Sequence, residues 1–240
     1  LVGYILWHRA SPDLSGLEAR FPTSVLFRTG RPLFAITALQ LVMQWTSTLL
    51  LGVWSTTEQV GLYNVAYRTA FIVTLVLSSV NSIAAPKFSE LHSRRETPVL
   101  AATTRNSTRL MIMLATPALL VLVFAPEFVM SLFGREFRQG WPMLVTLALG
   151  QFVNVAAGSV GFLLIMTGEE RAYRNVTLFA AFVNVGLNVA LIPRLGGLGA
   201  AIATATGVAA RNLGAVLVVR RKLGIQPIPF SPRWETAGRT

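Results

Sequence analysis

The chain has 240 residues, of which 53% are hydrophobic and 13% charged, whereas a soluble globular domain carries about 25% charged residues. It holds no cysteine, which excludes a disulfide framework, a thiol nucleophile and a cysteine-based metal site. A net charge of +11 would suggest nucleic-acid binding in a soluble protein. Here the basic residues fall between long apolar runs, which indicates a polytopic membrane protein facing anionic lipids and argues against a nucleic-acid partner.

The first 31 residues contain no complete membrane span. Residues 1–7 are apolar and follow neither a methionine nor a basic segment, so they do not form a signal peptide. We interpret them as the end of a truncated preceding transmembrane helix, which makes the chain a C-terminal fragment. Residues 8–31 are polar and contain two prolines and two glycines, and we expect them to form a cytoplasmic connection.

Six apolar runs follow, each near the roughly 20 residues that cross a bilayer core. We expect Pro86 to end the second run and Gly158 to allow bending in the fourth. Residues 223–240 contain three prolines and are predicted to be a flexible cytoplasmic tail. The pattern predicts an all-α integral membrane fold in which residues 32–222 form a six-helix transmembrane lobe. The six predicted spans are residues 33–54, 61–86, 110–124, 141–166, 176–192 and 198–219.

The numbers of basic residues in the connections alternate along the chain. Residues 8–31, 86–109, 168–174 and the tail from 220 together hold 16 lysines and arginines, and the three intervening connections hold 3. Because cytoplasmic connections are enriched in lysine and arginine, both ends of the chain are predicted to be cytoplasmic. The remaining two, Arg68 and Arg211, lie within predicted spans.

Polar side chains recur at helical spacing in three spans. Such stripes either hydrogen-bond between packed helices or line a polar cavity, because unsatisfied amides in hydrocarbon are costly. No predicted span holds an Asp or Glu to pair with Arg68, which either lines the cavity or extends to the outer interface. The stripes are Thr37, Gln40, Gln44 and Ser47 in the first span, Asn64, Arg68, Ser78, Ser79 and Ser82 in the second, and Thr177, Asn184 and Asn188 in the fifth.

The sixth span carries small residues at every fourth position in two rows. The first row is Gly199, Ala203 and Gly207, and the second is Ala201, Ala205 and Ala209. Small residues at this spacing let helix backbones approach closely, so we expect this helix to pack tightly within its own lobe. Arg211 continues the first row and is predicted to face protein or a cavity. Gln151 and Asn154 begin a similar face in the fourth span.

The sequence lacks the common catalytic arrangements. The segment GGLGAA at 196–201 has Ile202 where a dinucleotide-binding loop needs its third glycine. His8 and His92 both lie in connections, and no HExxH motif, P-loop or intramembrane carboxylate pair occurs. We therefore predict a protein that is not an enzyme, with no catalytic residue, no cofactor and no metal site.

Four blocks occur in order along the chain: GLYNVAYR at 61–68, APKFSELHSR at 85–94, FGREFRQGWPML at 133–144, and MTGEE followed by NVGLNVALIPRLGGLGAAIATATG at 184–207. With these blocks the chain resembles the oligosaccharide flippase family of the MOP superfamily, which includes O-antigen and teichuronic-acid type exporters. The resemblance covers about residues 25–222.

This resemblance implies one lobe of a two-lobed transporter in the bacterial or archaeal plasma membrane. Such a transporter flips undecaprenyl-diphosphate-linked oligosaccharide by alternating access, for polysaccharide biosynthesis. The implied partners are the lipid-linked glycan, the missing N-terminal lobe and anionic inner-leaflet lipids. Many members have an acidic residue where this chain has Ser47, a departure that bears on cation coupling. The candidate substrate-cavity residues are Arg68, Asn64, Gln40, Gln44, Ser47 and Arg211.

Two other functions are open from the sequence. A MATE-like multidrug exporter of the same superfamily would favour carboxylates in its cavity, and no predicted span contains one. A non-transporting membrane scaffold for polysaccharide assembly would use the polar stripes as packed interhelical contacts.

Overall fold

The computed structural model describes residues 23–229, and the regular elements among them are all helices. The chain divides into two compact units, Leu1–Arg31 and Pro32–Thr240. Helical residues 23–31 are the described part of the first unit. The predicted helix end at residues 1–7 and residues 230–240 of the predicted tail lie outside the described residues.

Five segments of the described chain are helical, long and apolar enough to cross a membrane: Gly30–Trp54, Ile72–Ser93, Thr97–Phe124, Arg135–Ala157 and Glu170–Leu223. Large apolar side chains such as Phe34, Ile83 and Phe124 are more than three-quarters exposed on them, as expected for surfaces in contact with lipid. The predicted all-α integral membrane fold is confirmed. In chain order the elements are α1 (Thr23–Trp54), α2 (Thr57–Ala70), α3 (Ile72–Ser93), α4 (Thr97–Phe124), α5 (Pro126–Ser131), a 3₁₀ turn (Arg135–Gly140), α6 (Trp141–Ala157), α7 (Val160–Met166) and α8 (Glu170–Leu223).

The last helix, α8, is a hairpin rather than a single rod. Its 54 residues would extend about 80 Å if straight, against about 30 Å for a bilayer core. Gly196 breaks it with φ 53° and ψ −130°. Gly214 then lies against Val176, and Gly207 against Asn184, so the two halves run antiparallel. The prediction of six membrane crossings requires each half of α8 to cross the membrane once. The number of crossings stays a prediction.

Two boundaries differ from the predicted second span. Pro86 lies inside α3, which continues to Ser93, because membrane helices tolerate proline where neighbours support the freed backbone. Phe88, on the far side of the proline, is fully buried and anchors the continuation. Between α2 and α3 one turn of the helix is narrower than an α-helical turn. The Phe71 carbonyl accepts a 2.9 Å hydrogen bond from the N–H of Thr74, three residues later instead of four.

The fourth predicted span bends where a glycine was expected to allow it. Gly158 has φ 75° and separates α6 from α7. A Cβ at this position would lie 2.1 Å from Thr108 Oγ1 on α4. The positive φ and the close approach of α4 both require glycine here.

The first residues after α8 are packed where a flexible tail was predicted. Ile225 is 2% exposed, and Ile228 packs against the same apolar cluster that holds Leu91 and Val219. The two isoleucines therefore hold residues 225–228 on the helix ends.

The helix ends of the second unit gather in two groups. Leu91, Leu164 and Val219 share one apolar cluster beside the cations of residues 87–95, 171–174 and 220–222, which we call the basic end. At the opposite end, defined by residues 55–59, 126–140 and 193–197, the Gly197 N–H donates to Gln59 Oε1 at 3.0 Å. This grouping agrees with the alternation that the basic residues predicted.

Candidate functional site

A polar cavity of about 220 Å³ lies among α1, α2, α6 and both halves of α8. Its residues lie in the middle part of the predicted spans, except Tyr67, which lies nearer the start of the second span; Phe71 is at the junction of α2 and α3. Most of the lining side chains are polar, although the helices around them are apolar. The lining consists of Gln40, Met43, Gln44, Tyr67, Phe71, Gln151, Asn154, Asn184, Thr204, Val208 and Arg211.

Contacts between α1 and α8 set the depth of each lining residue. Ser47 meets Thr204, and the Met43 methyl lies beside Gly207, so α1 runs antiparallel to the second half of α8. Continuing that register brings Gln40 level with Arg211. Thr204 and Arg211 are seven residues apart in α8, which corresponds to about 10 Å along the helix axis.

Three hydroxyl groups close the cavity on the side of the opposite end, and we call them the hydroxyl floor. Thr204 Oγ1 lies 2.8 Å from Ser47 Oγ and 2.9 Å from the Tyr63 hydroxyl. All three side chains are buried. Beyond them Leu51 and Ile192 pack in an apolar cluster, so the cavity is sealed from the opposite end.

Arg211 is the one charged residue of the lining. Its Nε is buried without a hydrogen-bond partner, and none of the ion pairs found within residues 23–229 includes it. The Arg211 side chain is half-buried, and a guanidinium shielded from water without a counter-charge is costly. Its planar donors suit carboxylate or phosphate oxygens. The site is therefore suited to an anion.

Amide side chains supply most of the remaining polarity. Within the described chain, Gln40, Gln44, Gln151 and Asn154 make no side-chain hydrogen bond. Each amide offers two donors and acceptor lone pairs. Asn184 is different, because its Nδ2 donates to the Ala203 carbonyl at 3.1 Å. Four unpaired amides leave the cavity with hydrogen-bonding capacity for a polar ligand.

The six candidate residues from the sequence separate into two groups. Arg211, Gln40 and Gln44 line the cavity, and Ser47 belongs to the hydroxyl floor. Asn64 lies off the lining, where its Nδ2 donates to the Val60 carbonyl at 2.9 Å. Arg68 is exposed on α2 and is also off the lining. The structure therefore brings Gln40, Gln44 and Ser47 together with Arg211 and leaves the α2 pair outside. Thr37, the first residue of the α1 stripe, is also off the lining and donates to the Leu33 carbonyl.

The structure also settles the packing of the other stripes. Thr177 and Asn188 are buried and bond to carbonyls of their own helix. Ser78, Ser79 and Ser82 continue the exposed face of Arg68 along α3. Thr177 and Asn188 thus contribute packing, whereas Asn184 of the same stripe lines the cavity. The second-span stripe remains an open surface of this lobe.

Several lining residues were not among the sequence candidates. Gln151 and Asn154 reach the cavity because Gly150 lets α6 approach α8, where a Cβ would lie 2.7 Å from the Cα of Ala205. Tyr67 lies one turn after Tyr63, with ring centroids 6.0 Å apart. The signal for these positions is the small residue Gly150 of α6, which faces Ala205 in the second small row of the sixth span, and not a polar motif.

Residues 3–142 match the family described as polysaccharide biosynthesis protein. The chain is 29% identical over 170 residues to the probable low-salt glycan biosynthesis flippase of Haloferax volcanii, covering 70% of this chain and 36% of that protein. It is 31% identical over 183 residues to the probable flippase AglR of the same organism, covering 73% and 37%.

A third relative is the teichuronic acid biosynthesis protein TuaB of Bacillus subtilis, 27% identical over 123 residues, which are 50% of this chain and 25% of that protein. The chain spans little more than a third of the length of the two Haloferax relatives. No solved structure matches the chain.

Proposed function

This chain belongs to the polysaccharide biosynthesis protein family, and we propose that it forms one lobe of a flippase for lipid-linked oligosaccharide. The observation that carries the proposal is Arg211, unpaired in a polar cavity at mid-depth of an apolar helix bundle. Transporters hold their substrates near the bilayer midplane, where irregular or polar structure is tolerated around a cavity. In a packed scaffold, four amides without hydrogen-bond partners at that depth would destabilise the bundle and serve no ligand.

The chemistry of the cavity matches the head group of such a lipid. Arg211 offers a phosphate a planar set of donors, and the amides offer sugar hydroxyls both donors and acceptors. The prenyl tail stays in the bilayer, against exposed apolar side chains such as Phe34 and Phe182. Undecaprenyl diphosphate is the lipid carrier that we propose.

The cavity is one part of a larger site. Its volume of about 220 Å³ is below the roughly 300–1,000 Å³ of complete ligand pockets. Arg68 lies on an exposed face at mid-depth, where contact with hydrocarbon would be costly. We place the missing N-terminal lobe of the transporter on this face, with Arg68 and Asn64 turned towards the shared substrate path.

We propose that the lobe works by alternating access, with the hydroxyl floor as the barrier that opens. In this conformation the cavity is sealed from the opposite end by Ser47, Tyr63 and Thr204. The basic end is the cytoplasmic end in our proposal, since cytoplasmic segments are rich in lysine and arginine and meet anionic lipids. Opening of the hydroxyl floor then exposes the cavity to the outer side.

Replacement of Arg211 tests the proposal. In the full-length protein, Arg211→Gln is expected to reduce surface polysaccharide at least about tenfold, the factor that corresponds to about 1.4 kcal/mol of lost binding. Surface glycan is measured by lectin or antibody binding, with membrane expression quantified alongside.

Arg194→Gln is the matched control, because Arg194 is exposed in the hairpin turn of α8, away from the cavity. It should export like the wild type. Wild-type export by a normally expressed Arg211→Gln protein would contradict the proposed function of the cavity.

A further inference from the structure

We infer that the cavity has two chemically different ends, an anion-binding end at Arg211 and a hydroxyl-binding end around Gln44 and Gln151. The head group enters with its sugar towards the hydroxyl floor and its phosphate towards the basic end. This inference rests on the proposed function and adds the orientation of the substrate and the residues that select its saccharide.

The helix register separates the two ends in depth. Gly150 packs against Ala205 and Met143 against Gly197, so α6 runs parallel to the second half of α8. Gln151 therefore lies about level with Thr206, within one turn of Thr204 and the hydroxyl floor. Arg211 lies two turns farther along α8, about 10 Å from Thr204 along the helix axis. Gln40 is level with Arg211, and Gln44 is one turn closer to the floor. The guanidinium and the amides of Gln44 and Gln151 therefore contact different parts of one ligand.

The donor and acceptor patterns of the two ends are different. A guanidinium has five donors and no acceptor, whereas an amide has both donors and acceptors. Sugar hydroxyls also donate and accept, so Gln151, Gln44 and the floor hydroxyl of Thr204 can satisfy them. A phosphate only accepts when fully ionised, which pairs it with Arg211.

The electrostatics set the direction of entry. No charged side chain lies in the lining on the floor side of Arg211, so a phosphate placed there would be desolvated without a counter-charge. The cations of residues 87–95, 171–174 and 220–222 lie beyond Arg211 at the basic end. A phosphate is therefore more stable at Arg211 than at the floor, which leaves the floor to the neutral sugar.

Binding of two lipids by the full-length protein in nanodiscs tests this inference. The probes are undecaprenyl diphosphate alone and undecaprenyl diphosphate carrying the host's own saccharide. Combined Gln44→Leu and Gln151→Leu substitutions should weaken binding of the sugar-bearing lipid roughly tenfold, as expected for a few lost hydrogen bonds. Binding of the bare lipid should change by less than about twofold.

Arg211→Gln should weaken both lipids by similar factors, and Asn106→Leu, which changes an exposed amide on α4, should weaken neither. Gln151→Asn keeps the amide and separates the loss of hydrogen bonds from misfolding, which the thermal midpoint also reports. Equal losses for the two lipids in the double variant, or no loss for the sugar-bearing lipid, would overturn the two-ended cavity alone. Absence of binding of either lipid by the wild type would overturn the proposed function as well.

Discussion

Thr204 joins three helical segments through one hydroxyl group. Its Oγ1 is within hydrogen-bond distance of Ser47 on α1 and Tyr63 on α2. A hydroxyl group donates one hydrogen bond and accepts others, so Thr204 donates to one neighbour and accepts from the other. At this buried position the three groups satisfy one another and need no water.

Removal of that hydroxyl should destabilise the bundle. We expect Thr204→Val to lower the free energy of unfolding by about 1–3 kcal/mol, because the buried Ser47 and Tyr63 hydroxyls each lose a hydrogen-bond partner and keep only each other. Denaturation in detergent, followed by circular dichroism, measures the change. Thr116→Val is the control, since Thr116 bonds only to the Ile112 carbonyl of its own helix. A Thr204→Val protein as stable as the control would refute the role of the floor.

Prediction at the residue scale succeeded where the small-residue pattern and the polarity of a side chain indicated the same side of the helix. Arg211 follows a small-residue row, which predicted that it faces protein or a cavity, and it lines the cavity. Arg68 is equally costly in hydrocarbon, but its neighbours along α2 give no such row. The side of α2 that faces the lobe depends on the helix rotation at Phe71, which a single sequence does not encode in its polar spacing.

The contact between α6 and α8 depends on the absence of a side chain at Gly150. A Cβ there would lie 2.7 Å from both the Cα and the Cβ of Ala205, closer than the two helices allow without moving apart. Gly186 is also helical but has no atom within 4 Å of such a Cβ. The two glycines therefore form a natural pair for comparison.

Gly150→Ala should lower the free energy of unfolding by about 1–3 kcal/mol through overpacking. Gly186→Ala should leave the free energy of unfolding unchanged or raise it by up to about 1 kcal/mol, because alanine loses less backbone conformational entropy than glycine on folding into a helix. Thermal unfolding of both proteins in the same detergent gives the comparison. The same loss in both variants would mean that the α6–α8 approach is not the cause.

At the element scale the spans were predictable and their interruptions were less so. Hydropathy located the apolar runs, and the small row of the sixth span predicted close packing. Its partners, the first half of α8 and Gly150 on α6, depend on tertiary contacts. Pro86 was expected to end a helix, but burial of Phe88 on its far side stabilises the continuation more than proline weakens it.

The whole lobe has a basic end and an opposite end. The turn between the two halves of α8 lies at the opposite end. Gln59 holds this turn by accepting from the Gly197 N–H. The charge count predicted which connections share an end, because the positive-inside rule acts on short loops. It did not predict the hairpin geometry, which depends on one glycine with a positive φ, Gly196.

Labelling of single cysteines tests the number of crossings, since this chain has none of its own. With six crossings, Arg194→Cys should react with a membrane-impermeant maleimide from outside intact cells, and Glu170→Cys only after lysis. Ala148→Cys, at a fully buried position, should react in neither case. Labelling of Arg194→Cys and Glu170→Cys from the same side would contradict the hairpin as two crossings.

The hairpin of α8 has a consequence for biosynthesis. Its first half carries Asn184 and Asn188 at buried positions, and the Asn184 amide donates to the Ala203 carbonyl in the second half. A first half that entered the bilayer alone would expose its amides to hydrocarbon, at a cost that the second half removes. The first half therefore gains stability in lipid by leaving the translocon together with the second half.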